Sequence, residues 1–155
     1  YGDLGGATPE EAFRAFLARA HAGDYVALVA YLPPNKANYA ALAALRQQVR
    51  DGARVATTLG FGPRFLHSTG QLHKGGPNSG LYLQITADDA EDIRVPGQHY
   101  TFGILKQAQA LGDFLALQKH GRRVLRVHFS GGPAEVLAGL ERLRGAVPSG
   151  VASGR

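Results

Sequence analysis

The run YVALVAYL at residues 25–32 decides the fold, and Pro33 and Pro34 end it. An unbroken apolar run of this length, rich in Val and Tyr, is typical of a strand buried on both faces of a parallel sheet. Proline ends such a strand because it has no backbone N–H to donate. A helical pattern that begins at Thr8-Pro9-Glu10-Glu11 precedes the strand, and another follows at residues 36–50.

The same alternation of strands and helices continues to residue 144. The pattern predicts further strands at residues 55–59, 81–86 and 124–129 and further helices at residues 64–74, 101–119 and 133–144. This order favours an α/β fold with a mostly parallel sheet of four to five strands and helices on both faces. We expect one domain at residues 8–145, an N-terminal extension at residues 1–7 and a flexible tail at residues 146–155, where no periodicity remains.

The composition is that of one soluble globular domain. Of the 155 residues, 45% are hydrophobic and 19% charged, which argues against disorder, and no apolar run approaches the roughly 20 residues of a membrane span. The chain has no cysteine, which excludes disulfides and thiolate metal sites. It has no methionine and opens with Tyr1, so we expect a fragment, a processed product or a trimmed chain. No signal peptide opens the sequence, and the cytoplasm is the expected location.

The formal net charge is +5, from 17 Lys and Arg against 12 Asp and Glu. The densest basic group is Lys119-His120-Gly121-Arg122-Arg123, at the end of a predicted helix. Cations there complement the negative end of the helix dipole. This ordinary role is favoured over nucleic-acid binding.

The loop at Gly60-Phe61-Gly62 joins a predicted strand to a predicted helix, and ligands of parallel sheets bind at such loops. The dinucleotide fingerprint needs Gly or Ala at its third position, where Phe65 stands here. A nicotinamide cofactor is therefore excluded. The phosphate-binding pattern GxxxxGK[ST] is also absent, and the sequence predicts no cofactor.

A polar group follows this loop at spacings of 3, 4 and 3 residues, and it consists of Arg64, His67, Gln71 and Lys74. Such spacing places the four residues on one face of a predicted helix. Every amphipathic helix has a polar face, and this alternative remains open. Two features favour a functional site: Ser68-Thr69-Gly70 forms helix poorly, and the small residues at 75–80 let a ligand approach the backbone.

His67 is the titratable group of this face. Histidine gives and takes protons near neutral pH, as the opening of a sugar-phosphate ring requires, and nearby cations and backbone amides suit a phosphate. No residue plainly supplies the base that moves a proton between C1 and C2. The other histidines have structural explanations and lack the spacing of paired metal ligands, so no metal site is predicted.

The segment GFGPRFLHSTGQLHKGG at residues 60–76 resembles the ring-opening-histidine segment of phosphoglucose isomerase. It is most similar to the variant in bacterial transaldolase/phosphoglucose isomerase fusion proteins. Residues 81–86 and 100–106 resemble the strand and helix that follow in that family. The resemblance spans about residues 25–129 and is most specific at residues 65–76.

The resemblance implies a C-terminal sugar-isomerase (SIS) domain with a flavodoxin-like sheet. The implied enzyme is a cytoplasmic glucose-6-phosphate isomerase of glycolysis and gluconeogenesis, which interconverts glucose 6-phosphate and fructose 6-phosphate without a metal or organic cofactor. His67 then assists ring opening in a site that a neighbouring subunit completes. The implied catalytic residues are His67, Gln71 and Lys106, and the substrate-binding residues are Gly62, Arg64, Ser68, Thr69 and Lys74.

Departures from the family pattern limit what the chain does alone. The family's base is a glutamate upstream of the histidine, but residues 38–52 contain no Glu and only Asp51. The family's C-terminal lysine motif is missing, with Lys106 as a substitute, and its phosphate-binding Ser/Thr cluster belongs to another domain. We expect an inactive isolated domain whose partners are upstream sugar-isomerase and transaldolase domains, or a second copy in a homodimer. The alternative is a non-catalytic sugar-phosphate-binding or assembly module of the same fold.

Overall fold

The computed structural model describes residues 8–149, so the extension predicted at residues 1–7 and residues 150–155 of the predicted tail lie outside the described residues. Among residues 8–149, no helix combines the length and the apolar character needed to cross a membrane. In chain order the elements are α1 (Pro9–Leu17), β1 (Tyr25–Tyr31), α2 (Lys36–Ala53), β2 (Ala56–Phe61), a 3₁₀ helix (Arg64–His67), α3 (Thr69–Gly75), β3 (Gly80–Ala87), α4 (Phe102–Lys119), β4 (Arg123–Phe129) and α5 (Pro133–Ala146).

The four strands are all parallel and pair in the order β2-β1-β3-β4. The predicted α/β fold is therefore confirmed, and the architecture is a flavodoxin-like three-layer sandwich. β1 and β3 occupy the centre of the sheet, and nearly every residue of both strands is buried. This position explains why their sequences read as unbroken apolar runs. The carboxyl ends of all four strands lie at one edge of the sheet.

The larger hydrophobic core lies between the sheet and the layer of α1, α2 and α5. Side chains of a strand alternate between the two faces, and Leu28 of β1 and Leu83 of β3 belong to this core. Phe13, Phe16 and Leu140 pack in it from the helices and are almost wholly buried. Burial of each such side chain contributes roughly 1.5–3 kcal/mol, so this layer supplies most of the apolar stabilisation.

The opposite face of the sheet, covered by α3 and α4, is more polar. Its apolar cluster is small and comprises Ala27, Val29, Tyr31, Phe65, Tyr82, Ala110 and Leu117. Gln84 of β3 is buried and donates to the Ala110 carbonyl oxygen at 2.9 Å. The ring centroid of His73, on α3, lies 4.7 Å from that of Tyr82. Polar side chains are therefore part of the packing in the α3–α4 layer.

Local contacts fix the two ends of the packed chain. Thr8 and Glu11 form a capping box at the start of α1. At the other end, α5 continues to Ala146, and Val147 is buried in the larger core. The packed structure thus extends past the boundary expected at residue 145, because Val147 fills space beside Gly52 of α2.

The prediction of one continuous helix at residues 64–74 is wrong. The 3₁₀ helix ends at His67, and Ser68, with φ −132° and ψ −101°, separates it from α3. Ser68-Thr69-Gly70 has low helix propensity, and a Cβ at Gly70 would lie 2.9 Å from the Phe65 carbonyl oxygen. The chain therefore turns at Ser68, and the residues on its two sides do not share one helix face.

Candidate functional site

The segment that follows β2, residues 62–68, forms a platform that carries His67. Phe65 anchors this platform, because the residue is only 7% exposed and its ring centroid lies 5.9 Å from that of Tyr31. Gly62 donates its backbone N–H to a carbonyl oxygen of β1 at 2.8 Å. A Cβ at Gly62 would come within 2.6 Å of the Tyr31 ring. Gly62, a predicted substrate-binding residue, thus has a structural role in fixing the platform to the sheet.

Arg64 and His67 lie on the solvent side of the platform. Side chains three residues apart are eclipsed on a 3₁₀ helix, so the guanidinium and the imidazole project from the same side. Both residues are exposed, and among residues 8–149 neither side chain forms a hydrogen bond or an ion pair. The structure brings together a cation and a titratable ring at the carboxyl edge of the sheet.

The other residues of the predicted polar face have partners within the chain. Lys74 Nζ lies 2.7 Å from Oδ1 of Asp113, whose side chain is 3% exposed, so Lys74 joins α3 to α4. Gln71 donates from Nε2 to the Leu66 carbonyl oxygen, and Ser68 donates from Oγ to that of Phe65, both in long contacts of 3.4 Å. These two side chains support the platform. Thr69 is exposed at the start of α3.

Lys106 lies in the first turns of α4 and forms an ion pair with Asp89, in the loop after β3. In the same loop, Asp92 accepts hydrogen bonds from the Thr101 hydroxyl and the Gly103 N–H. These hydrogen bonds keep the pKa of the Asp92 carboxyl below its usual value, and the bond from Thr101 has the largest effect. Because β1 lies between β2 and β3, the end of β3 is two strand spacings, or about 10 Å, from the end of β2. Lys106 therefore pairs with Asp89 away from the platform and does not join His67 there.

The carboxyl edge also contains a crevice at two of the four strand-to-helix loops that the sequence predicts there as possible ligand sites, those that begin near Pro33 and Ala87, although no motif singled it out. It opens between the loops after β1 and β3, encloses about 60 Å³, and its lining includes Pro33, Asn35, Asn38, Asp88, Asp89 and Val136. The chain leaves β1 and β3 in opposite directions along the sheet, and ligands of such folds bind at this switch point. The crevice depends on strand order, which the alternation of helices and strands does not contain.

Thr86, His128 and Asp88 form a hydrogen-bonded series at the same edge. Thr86 and His128 are register partners on β3 and β4, and Thr86 Oγ1 lies 2.9 Å from His128 Nδ1. His128 Nε2 lies 3.2 Å from Asp88 Oδ1. A hydroxyl, an imidazole and a carboxylate occur in this order in nucleophilic sites, but Thr86 is buried and inaccessible to a substrate. The series therefore orients His128, and only strand register reveals it.

A cavity of about 180 Å³ lies beside the platform, between β1, β2 and α3. Its lining includes Thr58 and Gly60 of β2, Phe65 of the platform, and Thr69 and His73 of α3. His73 is buried, which lowers the pKa of its imidazole, and its Nε2 has no hydrogen-bond partner. The described residues that line the cavity include no Asp, Glu, Lys or Arg. The cavity thus suits an uncharged polar group such as a hydroxyl.

Comparison with known proteins bears on the fold alone. No protein-family model and no curated protein matches this sequence. A solved structure with a similar fold is that of the hypothetical protein TT0462 from Thermus thermophilus, with a TM-score of 0.69 and 15% sequence identity over 92% of this chain. The chain spans 40% of the length of that protein. The likeness concerns the fold and carries no function.

Proposed function

We propose that this chain is the C-terminal sugar-isomerase domain of a cytoplasmic glucose-6-phosphate isomerase, in which His67 assists the opening of the sugar ring. The observation that carries the proposal is the pair of Arg64 and His67, which are exposed and without a partner among residues 8–149. The platform holds the pair at the carboxyl edge, where parallel sheets bind ligands. The type of reaction is inferred from the resemblance of residues 60–76 to the ring-opening-histidine segment of phosphoglucose isomerase.

In this proposal His67 exchanges a proton with the ring oxygen and the anomeric hydroxyl of a hexose 6-phosphate. An imidazole suits both directions of transfer because it titrates near neutral pH. Arg64, on the same side of the 3₁₀ helix, binds the phosphate, to which a guanidinium donates two hydrogen bonds. The cavity lined by Thr58, Thr69 and His73 offers hydrogen-bonding groups to the sugar hydroxyls beside this pair.

The base that transfers the proton between C1 and C2 comes from another domain or chain in this proposal. Three of the four acids in the loop after β3, Asp88, Asp89 and Asp92, are engaged by His128, Lys106 and Thr101, and the fourth, Glu91, is exposed. Asp51, the sole acid of residues 38–52, lies near the end of α2. Since α2 starts at the carboxyl edge, its end lies at the opposite edge of the sheet. These positions support low activity of the chain by itself.

The test uses the longest natural protein that contains this domain and compares wild type with His67→Ala. Loss of a general acid and base should reduce turnover of cyclic glucose 6-phosphate by about 10²- to 10⁴-fold, with little change in binding. His99→Ala is the matched control, because His99 is an exposed loop residue, and it should retain full turnover. Unchanged turnover in His67→Ala would refute the role of His67.

An open-chain substrate separates a catalytic from a structural role. Such a substrate bypasses ring opening, so His67→Ala should recover most of its rate on it. An equal loss on cyclic and open-chain substrates, together with a lower Tm, would mean that His67 stabilises the platform. In that case the assignment is wrong.

The second candidate is a module that binds sugar phosphate without turnover, which the engagement of Asp88, Asp89 and Asp92 favours. Calorimetric titration of the 155-residue chain with glucose 6-phosphate tests it, with inorganic phosphate as the simpler probe. Arg64→Ala should lose binding, and Arg14→Ala, an exposed arginine of α1, should keep it. Binding with this pattern but no turnover in the longer protein would select the module.

A further inference from the structure

The outer surface of α4 is apolar. Among residues 8–149, nine large hydrophobic side chains are exposed, and five of them lie on α4. These five are 38% to 54% exposed and comprise Phe102, Ile104, Leu105, Leu111 and Leu115. Leu72 of the neighbouring α3 is 59% exposed as well. In a single isolated domain, such residues of a helix normally face the core. This exposed apolar surface therefore indicates a binding partner.

Part of this surface forms a regular seam along the helix. The seam has spacings of 4, 3, 4 and 3 residues and consists of Ile104, Ala108, Leu111, Leu115 and Gln118. All five residues are exposed, and this spacing is the one by which two helices pack along their length. Other positions, Gly103, Ala110, Asp113 and Leu117, form the buried side of α4. The seam is thus the side of α4 that its own sheet leaves uncovered.

The seam carries no charge, although the chain has a net charge of +5. Of the charged residues of α4, Lys106 pairs with Asp89 and Asp113 pairs with Lys74, and Lys119 is the last residue of the helix. Two copies of a chain with net positive charge repel each other over most of their surface. The α4 seam adds no like-charge pair of its own to this repulsion.

We propose that two copies of this chain associate through α4, antiparallel about a two-fold axis near Leu111. A two-fold interface uses the same patch on both subunits, and the seam is nearly symmetric about Leu111, its middle position. Leu111 then contacts Leu111 of the partner subunit across the axis, and the small side chain of Ala108 leaves room for Leu115 of the partner subunit. A Cβ at Gly112, beside Leu111, would meet nothing within 4 Å in its own chain, so the two helix backbones can approach closely there.

The apolar area of this face sets the scale of the interface. The exposed parts of Ile104, Leu105, Leu111 and Leu115, with Leu72 of α3, amount to on the order of 400 Å². The largest apolar patch on a typical monomer covers about 300–600 Å² and is often a binding site. A standard interface buries roughly 800 Å² per partner, so Ala108, Gln118 and flanking polar residues contribute the remainder.

The test measures the oligomeric state of the 155-residue chain by sedimentation equilibrium from low to high micromolar concentration. Gly112→Arg and Gly145→Arg are the matched variants, because both glycines lie in exposed helix surface where an added Cβ meets nothing within 4 Å. We expect wild type and Gly145→Arg to dimerise equally. Gly112→Arg should raise the Kd at least about tenfold.

Leu111→Glu is a second test, because a charge at the two-fold axis faces its own copy. It should dissociate the dimer at low salt and recover part of the affinity at high salt, where the repulsion is screened. Circular dichroism verifies that each variant is folded. A wild-type monomer at all concentrations, an assembly larger than a dimer, or a dimer that Gly112→Arg and Leu111→Glu leave intact would each overturn the proposal.

Discussion

At the scale of single residues, the ion pair of Asp24 and Arg123 links chain segments at the amino edge of the sheet. Asp24 directly precedes β1, and Arg123 begins β4. The two guanidinium nitrogens lie 2.6 and 2.9 Å from the two carboxylate oxygens. Arg123 also donates to the carbonyl oxygens of Arg19 and Asn78. One largely buried guanidinium thus joins the segments before β1, β3 and β4.

Asp24→Asn should destabilise the protein most at neutral pH. The hydrogen bonds from Arg123, as the main cause, lower the pKa of Asp24 from 3.8 to about 2, so the folded state favours the carboxylate. This stabilisation is fully present above the unfolded pKa of 3.8 and is lost as the pH falls through about 2. We expect a loss of roughly 2 kcal/mol at neutral pH that shrinks in increasingly acidic solution. Urea unfolding across this pH range measures it.

Asp51→Asn is the matched control for this prediction, because Asp51 pairs with its neighbour Arg50 on an exposed surface of α2. Exposed pairs contribute little to stability, so this variant should unfold almost like wild type near neutral pH. A loss in Asp24→Asn that equals that of the control, or that does not depend on pH, would contradict the role of the buried pair.

At the scale of elements, hydrophobic periodicity predicts the strands and the long helices well. The pattern predicts β1 at residues 25–32 and α4 at residues 101–119, and the structure has them at Tyr25–Tyr31 and Phe102–Lys119. These elements are predictable because their own apolar residues decide which faces they bury. Their ends carry local signals as well, such as Pro33 after β1 and the Thr101 cap of α4.

The pattern fails where tertiary contacts decide the backbone. The spacings within residues 64–74 fit one helix as well as a 3₁₀ turn followed by α3, and the packing of Phe65 against Tyr31 selects the second. The location of His67 at the carboxyl edge is predictable because it follows β2. The other features of this edge are not predictable from the sequence pattern. Both the ion pair of Lys74 with Asp113 and the crevice depend on the strand order β2-β1-β3-β4.

Gly139→Ala should destabilise the fold by about 1–3 kcal/mol. Gly139 lies on the buried side of α5, and a Cβ there would collide with the ring of Phe129 on β4. Gly145→Ala, in the same helix, is the matched control, because its Cβ meets nothing within 4 Å. Since alanine is favoured over glycine in a helix, the control should gain up to about 1 kcal/mol. Thermal unfolding of both variants should show shifts in Tm of opposite sign, and shifts of the same sign would contradict this close packing.

At the scale of the whole molecule, the two layers that cover the sheet differ in how firmly they are held. The larger core supports α1, α2 and α5, whereas α3 and α4 rest on seven buried apolar residues. Of the six buried side-chain polar atoms without a partner among residues 8–149, four belong to residues on the α3–α4 side, namely Tyr31 Oη, His73 Nε2, Gln84 Oε1 and Asp113 Oδ2, and the others are Thr57 Oγ1 and Arg122 Nε. Each such atom costs roughly 1–3 kcal/mol. The layer that carries the platform and the seam is thus the less stable one, as expected of a layer that receives a ligand or a partner.

Native-state hydrogen exchange should therefore separate the two layers. At protein concentrations that keep the chain monomeric, we expect the amides of α3 and α4 to exchange through openings of lower free energy than those of α2 and α5. Leu117→Ala and Leu140→Ala are the matched variants, because both leucines are buried and they belong to opposite layers. Each should lower the global stability by about 2–5 kcal/mol.

The two leucine variants should differ in the protection of α4. Opening of the α3–α4 layer exposes Leu117 but leaves Leu140 packed against the sheet. Leu117→Ala should therefore lower the protection of every element, because its contacts are lost in the partial opening and in global unfolding alike. Leu140→Ala should lower the protection of the strands, α2 and α5 while the exchange of α3 and α4 stays unchanged. An equal loss of protection in α4 in both variants would mean that the sheet and both layers open as one cooperative unit.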